Sequence, residues 1–171
     1  MRTVPESGTL AAMLDDFDRA LLTHVQRDDG ATAEELATRV ALSPSAIARR
    51  LRRLRRDGWI AATIALLSPR LTERRLRAVV ALQLAEHADL KGKRALLDRL
   101  AAAPQVQFCY ELAGAVDLQL LLDCRDMAEF NALVEALFES DGVVRRYETS
   151  FVKRAVKFAP FIDLAAPDSA A

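Results

Sequence analysis

Between Pro44 and Arg56 the chain carries six arginines and no acid. Like charges three or four residues apart on a helix repel by about 0.2–0.5 kcal/mol a pair, so an ordinary solvated helix mixes acids among its bases and this one does not. An apolar side is present: Ile47, Leu51 and Leu54 fall three and four apart, the spacing of one helix face. Both ends are marked as well. Ser43 is a cap residue, Pro44 fits the first helical position, and Gly58 supplies the stop. A shorter helix precedes this one. Thr32 and Glu35 make a capping box, so a helix starts at Ala33 with Leu36, Ala37 and Val40 on one side, before residues 41–43 break the period. Residues 32–60 therefore read as helix, tight turn, helix.

At about 100° per residue, the face opposite the apolar stripe collects Ser45, Arg49, Arg52, Arg53 and Arg56, with Arg50 and Arg55 on its flanks. A solvated face in an arginine-preferring proteome is the plain account of the arginines taken alone. A polyanionic partner accounts for more, because each neutralised phosphate releases condensed counterions. Two helices joined by a short turn, the second presenting its N-terminal half outward, match the geometry that sets a recognition helix in the major groove of DNA.

The 171-residue chain has no net charge, yet residues 1–76 hold thirteen arginines against ten acids, and residues 77–171 eleven bases against fourteen acids. The basic excess sits with the two helices. Overall neutrality argues against a general nucleic-acid coat or a polybasic membrane binder. Cys109 and Cys124 are too few and too far apart for a disulfide scaffold or a zinc site, and buried free thiols are expected. A signal-peptide core is lacking, and no apolar run approaches the roughly 18 residues that cross a bilayer; a soluble cytoplasmic protein without membrane association is expected. There is no Gly-rich phosphate loop, His-x-x-x-His or Cys-x-x-Cys pair, or Gly-x-Ser-x-Gly elbow, and His24 and His87 are the only histidines. The chain is expected to be neither an enzyme nor the holder of a metal or cofactor.

In order, residues 1–13 read as an arm and 14–27 as an amphipathic helix with Phe17, Leu21, Leu22 and Val25 inward. This is the first of three helices in a DNA-binding unit over 14–60. Residues 59–67 are β-branched enough for a strand, and 68–75, with Pro69 and three arginines, read as a connection; residues 61–76 together make a linker strand and hinge. Strands then follow at 77–85, 106–113, 116–124 and 143–158, with helices at 89–103 and 126–140, the second capped by Asp126 and closed by Asp141-Gly142. The β-α-β-β-α-β order over 77–158 is that of a ferredoxin-like sheet with both helices on one face; a tail, 159–171, ends the chain. The expected fold class is α+β, a helical unit joined to a mixed one. Val79, Val106, Phe108, Leu118, Leu120 and Leu122 look too apolar to leave the second sheet face wet. A homodimer is therefore expected, with double-stranded DNA as its partner.

The run SPSAIARRLRRLRRDGWI resembles the recognition-helix segment of the Lrp/AsnC (leucine-responsive and asparagine-responsive) transcription regulators, with Ser43, Pro44, Ser45, Arg50, Leu51, Arg53, Leu54, Gly58 and Ile60 in register. LDDFDRALLTHVQRDDG resembles the family's opening segment in Leu14, Asp15, Asp18, Leu22, Gln26 and Gly30, and departs from it at Ala31, where an Arg is common. The resemblance spans roughly 14–157. It implies a winged-type helix-turn-helix with DNA-binding residues Ser43, Ser45, Ala46, Arg49, Arg50, Arg52, Arg53 and Arg56; Ser45, Arg49 and Arg50 are expected at base edges or adjacent phosphates, and Arg52, Arg53 and Arg56 mainly on the backbone. It further implies sheets paired face to face, dimers assembled up to an octamer, and an amino-acid effector.

The family's effector loop reads Gly-Asp-aromatic-Asp, and this chain has Gly114, Ala115, Val116 and Asp117 there, so the outer two positions match. Asp117 is the candidate acceptor for an ammonium group, and Thr149 resembles a polar position near the family's pocket. With Ala115 and Val116 inside the loop, the expected effector is a small amino acid or related metabolite with an apolar side chain, bound at a dimer-dimer contact. The alternative is a hairpin glycine and a turn-side acid, in an architectural DNA binder that no small molecule controls. A sirohaem-decarboxylase-like enzyme of the same architecture would show extra histidines and arginines in the second domain and a weakened recognition helix; this chain has the reverse.

Overall fold

The computed structural model describes residues 14–71, 73–85, 90–140 and 142–164. The expected arm, 1–13, lies outside them, as do His87 and the end of the tail. The chain forms two compact units, residues 67–156 on one hand and residues up to 66 together with those from 157 on the other.

The first unit is built on three helices, α1 (Asp16–Val25), α2 (Ala33–Ala37) and α3 (Pro44–Arg56). Each begins at a side-chain cap: Asp15 for α1, Thr32 for α2 and Ser43 for α3, the first two as full capping boxes. These caps satisfy N–H groups that a helix leaves without a partner. Gly58 ends α3 with φ of 82°, a left-handed conformation that costs a glycine little. Leu21, Leu36, Ile47 and Leu54 are fully or almost fully buried, with Val25, Val40 and Leu51 around them. Phe17, expected inward, instead stays 40% exposed under the Arg50 guanidinium, 5.6 Å from its ring centre.

Residues 59–67, expected as a strand, pair with nothing among the described residues and leave Ile64, Leu66 and Leu67 exposed. The composition suits a strand, but a ladder needs a neighbour. The segment ends in a 3₁₀ turn, Pro69–Leu71. The C-terminal residues, expected only as a tail, belong to the helical unit. The Gln26 amide donates to the Ile162 carbonyl (2.8 Å) and accepts from the Ile162 N–H (3.0 Å), and Arg27 lies 5.8 Å over the Phe161 ring.

The second unit has the order β1 (Leu76–Leu84), α4 (Leu90–Ala102), β2 (Val106–Glu111), β3 (Leu118–Cys124), α5 (Met127–Val134) and β4 (Val144–Phe151). All neighbours in the sheet, β2-β3-β1-β4, are antiparallel, which is the ferredoxin-like arrangement. Asp126 caps α5, which runs on as a wider π turn through Glu135–Glu139, and Gly142 closes it with φ of 68°. β4 stops at Phe151 and does not reach 158. Its last bond runs from the Val152 N–H to the Arg77 carbonyl, where its partner β1 itself begins.

Register separates the two sheet faces. Ala78, Val80, Leu82, Leu118, Leu120, Leu122, Cys124 and Val106 pack with Leu96, Leu100, Phe130, Val134, Leu137 and Phe138 in one core. Val79, Ala81, Leu121, Phe108 and Tyr110 take the other face, Phe108 stacked on Tyr110 at 4.9 Å. Of the six residues expected to demand cover for that second face, Val106, Leu118, Leu120 and Leu122 thus lie under the helices; Val79 and Phe108 remain. Cys124 is buried, Cys109 partly so, and both are free thiols raised above the ordinary range by burial first.

Candidate nucleic-acid interface

The apolar stripe of α3 is consumed by the core: Ile47 and Leu54 are fully buried and Leu51 is nearly so. The helix is thereby fixed in rotation, and its arginines divide into three groups. Ser45, Arg49, Arg52 and Arg56 project outward within an arc of about 60° at about 100° per residue, and all four are exposed. Arg49 and Arg52 have no hydrogen-bond or ion-pair partner among the described residues, while Arg56 bonds its neighbour Asp57 at the surface, 2.9 Å away. A pair that exposed contributes at most about 1 kcal/mol and yields readily to a phosphate.

Arg50 and Arg53 lie on the flank facing α1. Arg50 donates to Asp15 Oδ2 (2.7 Å) and Asp18 Oδ1 (2.9 Å), and Arg53 donates to Asp18 Oδ2. The Asp18 side chain is 1% exposed. The Asp15 N–H is the other donor to Asp18, closing the capping box of α1. Burial pushes the Asp15 carboxyl up, but the Asp18 amide and the Arg50 guanidinium together hold it below the usual carboxylate range. On the opposite flank, Arg55 pairs with Asp29 at 2.7 Å. Arg53, expected on the outward face, and Arg50, expected near bases, are thus both engaged inside the protein. Ser43 is exposed but spends its hydroxyl on the Ala46 N–H, with Ser45 Oγ 3.2 Å away; Ala46 is half-buried.

The Asp15–Asp18 clamp escaped the sequence reading, which took Asp15 and Asp18 only as points of family likeness. A signal existed. Asp15 and Asp18 are three apart on one helix and Arg50 and Arg53 three apart on another, so each pair occupies one face. Spacing alone could not show that those faces meet.

The candidate effector residues separate in the second unit. Gly114 and Ala115 are exposed in the turn between β2 and β3, and Val116 and Asp117 are half-buried. Asp117 is tied to the end of β1: its N–H donates to the Leu82 carbonyl (2.9 Å), its carbonyl accepts from the Leu112 N–H (2.8 Å), and its Oδ2 accepts from the Leu84 N–H (2.8 Å). The Gln83 amide also holds the Ala115 carbonyl, at 3.0 Å. The other carboxylate oxygen of Asp117 has no hydrogen-bond partner among the described residues. Thr149 is elsewhere, opposite Val80 on the helix-covered face of β4, with β1 between it and β3. Its hydroxyl is buried without a hydrogen-bond partner. Among the described residues no group of three His, Cys, Asp or Glu could hold a metal ion, and no helix is long and apolar enough to cross a membrane.

Comparison with known proteins follows the same division. A family model described as winged helix-turn-helix DNA-binding matches residues 14–61, and one described as the Lrp/AsnC ligand binding domain matches residues 77–160. An uncharacterised HTH-type transcriptional regulator of Sinorhizobium fredii is 33% identical over 86% of both chains. The glutamate uptake regulatory protein of Zymomonas mobilis is 34% identical over 72% of this chain and 75% of its own. Among solved structures, a Neisseria meningitidis transcriptional regulator in complex with L-methionine superposes with a TM-score of 0.78 at 29% identity, covering 90% of this chain and 98% of that one.

Proposed function

Because the chain belongs to the Lrp/AsnC family of helix-turn-helix transcription regulators, a family of DNA-binding proteins and not of enzymes, we propose that it reads its operator through the outward face of α3. The carrying observation is that Arg49 and Arg52 stand outward without partners among the described residues, on the same arc as Ser45 and Arg56. In this reading Ser45 and Arg49 reach base edges, with Ser43 and Ala46 at the helix start against the backbone, and Arg52 and Arg56 hold phosphates. A homodimer, paired through the sheet face that carries Val79, Phe108, Tyr110 and Leu121, presents two such helices to half-sites about one DNA turn apart. Dimers assemble further, up to an octamer.

The effector reading rests on the loop at Gly114–Asp117 and on the L-methionine held by the Neisseria meningitidis relative. A small apolar amino acid, its ammonium on the free oxygen of Asp117 and its carboxylate on backbone N–H groups near Gly114, suits a loop whose inner residues are Ala115 and Val116. One observation favours a ligand-independent architectural binder instead: Asp117 already serves the sheet through Leu84.

Selection of bound duplexes from a random pool, followed by anisotropy titrations, tests the DNA reading. Arg49→Ala should cost about 1–3 kcal/mol on the selected site and relax its sequence preference, whereas Arg56→Ala should weaken all duplexes alike and flatten the salt slope by about one unit. Undiminished operator binding without both arginines would refute the assignment. For the effector, Asp117→Asn keeps an acceptor for Leu84 while removing the charge. Calorimetry with L-methionine and other apolar amino acids should show affinity falling roughly ten- to a hundredfold in that variant; no heat from wild-type protein would favour the architectural reading.

A further inference from the structure

Asp18 and Asp123 are the buried acids among the described residues, and at 0% exposure Asp18 is closed off from the surface. Both of its oxygens are taken by arginines of α3, Oδ1 by Arg50 and Oδ2 by Arg53. These arginines are only 23% and 36% exposed. A guanidinium keeps its charge under all ordinary conditions, so it can be withheld from phosphate only by another anion placed closer.

We propose that Asp18 is a positioning and specificity-determining residue of the DNA interface: it retains Arg50 and Arg53 as internal counter-ions, so that α3 offers the duplex Arg49 and Arg52 and not a continuous belt of arginine. The proposal rests on reading α3 as the recognition helix. Non-specific affinity grows with the number of phosphates neutralised, whereas specificity is the ratio of site affinity to non-specific affinity. Releasing Arg50 and Arg53 beside Arg49 and Arg52 would raise binding to any duplex and erode that ratio. The clamp also fixes the azimuth of α3 from the side that its apolar stripe does not reach. Arg50 is held by two acids and lies over Phe17, 5.6 Å from the ring centre. The outward arc therefore keeps one orientation toward the groove.

The test compares full-length wild-type and Asp18→Asn proteins on the selected site and on a scrambled duplex of equal length, by anisotropy between about 50 and 200 mM salt. The variant should bind scrambled DNA with a salt slope steeper by up to about two units, and its preference for the site should fall at least about tenfold. A purely structural acid would lower both affinities together and leave the slope no steeper, and that result would overturn the proposal. Should Asp18→Asn fail to fold, the partner side decides. Arg52→Gln should flatten the slope on scrambled DNA by about 0.9 unit and Arg50→Gln should not; equal flattening would place Arg50 on phosphate and overturn the proposal alone. Wild-type protein that binds no duplex would overturn the DNA reading and this proposal with it.

Discussion

Among the described residues, each of the two units contains one buried acid held by two arginines, and the two arrangements differ in where the arginines come from. In the helical unit, Asp18 on α1 takes Arg50 and Arg53 from α3, more than thirty residues along the chain. In the sheet unit, Asp123 on β3 takes Arg75, just before β1, and Arg77, on β1 directly opposite it in the register. The Arg77–Asp123 contact of this second arrangement is a cross-strand pair set by the register of the sheet. The first draws its cations from a helix whose other arginines face outward. The same chemistry thus stabilises a strand edge in one unit and, in the other, decides how much charge remains available to a ligand.

Removing the acids tests that contrast most strongly. Asp18→Ala strands Arg53 beside a closed core and leaves Arg50 to Asp15 alone; it should cost about 3 kcal/mol, the lower end of the range for breaking a buried pair because both arginines can still reach water. Asp123→Ala should cost about 1.5–3 kcal/mol, since Arg77 keeps its bond to Gln107. Urea unfolding of each variant measures both, and only Asp18→Ala should also change DNA binding. A DNA defect of equal size in Asp123→Ala would dissolve the distinction.

A smaller effect concerns the returning C-terminal segment. Gln26→Ala removes both bonds to the Ile162 backbone and, the site being exposed, should cost about 0.5–1 kcal/mol. Hydrogen exchange at the Ile162 amide should quicken in the variant, and unchanged protection there would mean that the segment is held by Phe161 and Arg27 alone.

The smallest effect is electrostatic and lies in the sheet unit. The Arg125 N–H, then the Gln105 amide and the Arg125 guanidinium, hold the Glu129 carboxyl down at about 2. A folded-state value below the unfolded one stabilises above the unfolded value, near 4.5, and that stabilisation is lost as pH falls through about 2. In the helical unit Glu35 is likewise lowered, first by the Thr32 N–H, so both units should lose stability in acid. Glu129→Gln should show a shallower fall of melting temperature between those two pH values than wild type. An identical fall in both proteins would remove Glu129 from the account.

Much of this was legible in the residues. Thr32 with Glu35, Ser43 with Pro44, Asp126, Gly58 and Gly142 are local devices, and each caps or ends the helix that its own neighbourhood specifies. The order of strands and helices followed from hydrophobic periods. Less legible were the extents of strands. Residues 59–67 have the composition of a strand and no strand partner among the described residues, and β4 was read seven residues too long because its pattern continues past the point where its antiparallel neighbour β1 begins. The face of each apolar residue was also hidden in β2 and β3, where a register shift between Val106 and Phe108 puts them on opposite sides.

What the sequence determined by itself is what short-range geometry controls: the caps, the helix periods, the βαββαβ order, and the presence of six arginines on one acid-free helix. What only the tertiary structure decided is which of those arginines are free. Helical spacing assigns a direction to each side chain but says nothing about what lies there. Arg50 and Arg53 leave the basic face because α1 packs against α3 with Asp15 and Asp18 toward it. The same holds for Asp117, whose loop position suggests a ligand, while the neighbouring strand has already claimed one of its oxygens. A charged side chain is available to a partner only after the fold has placed its nearest opposite charge, and that distance is a property of packing.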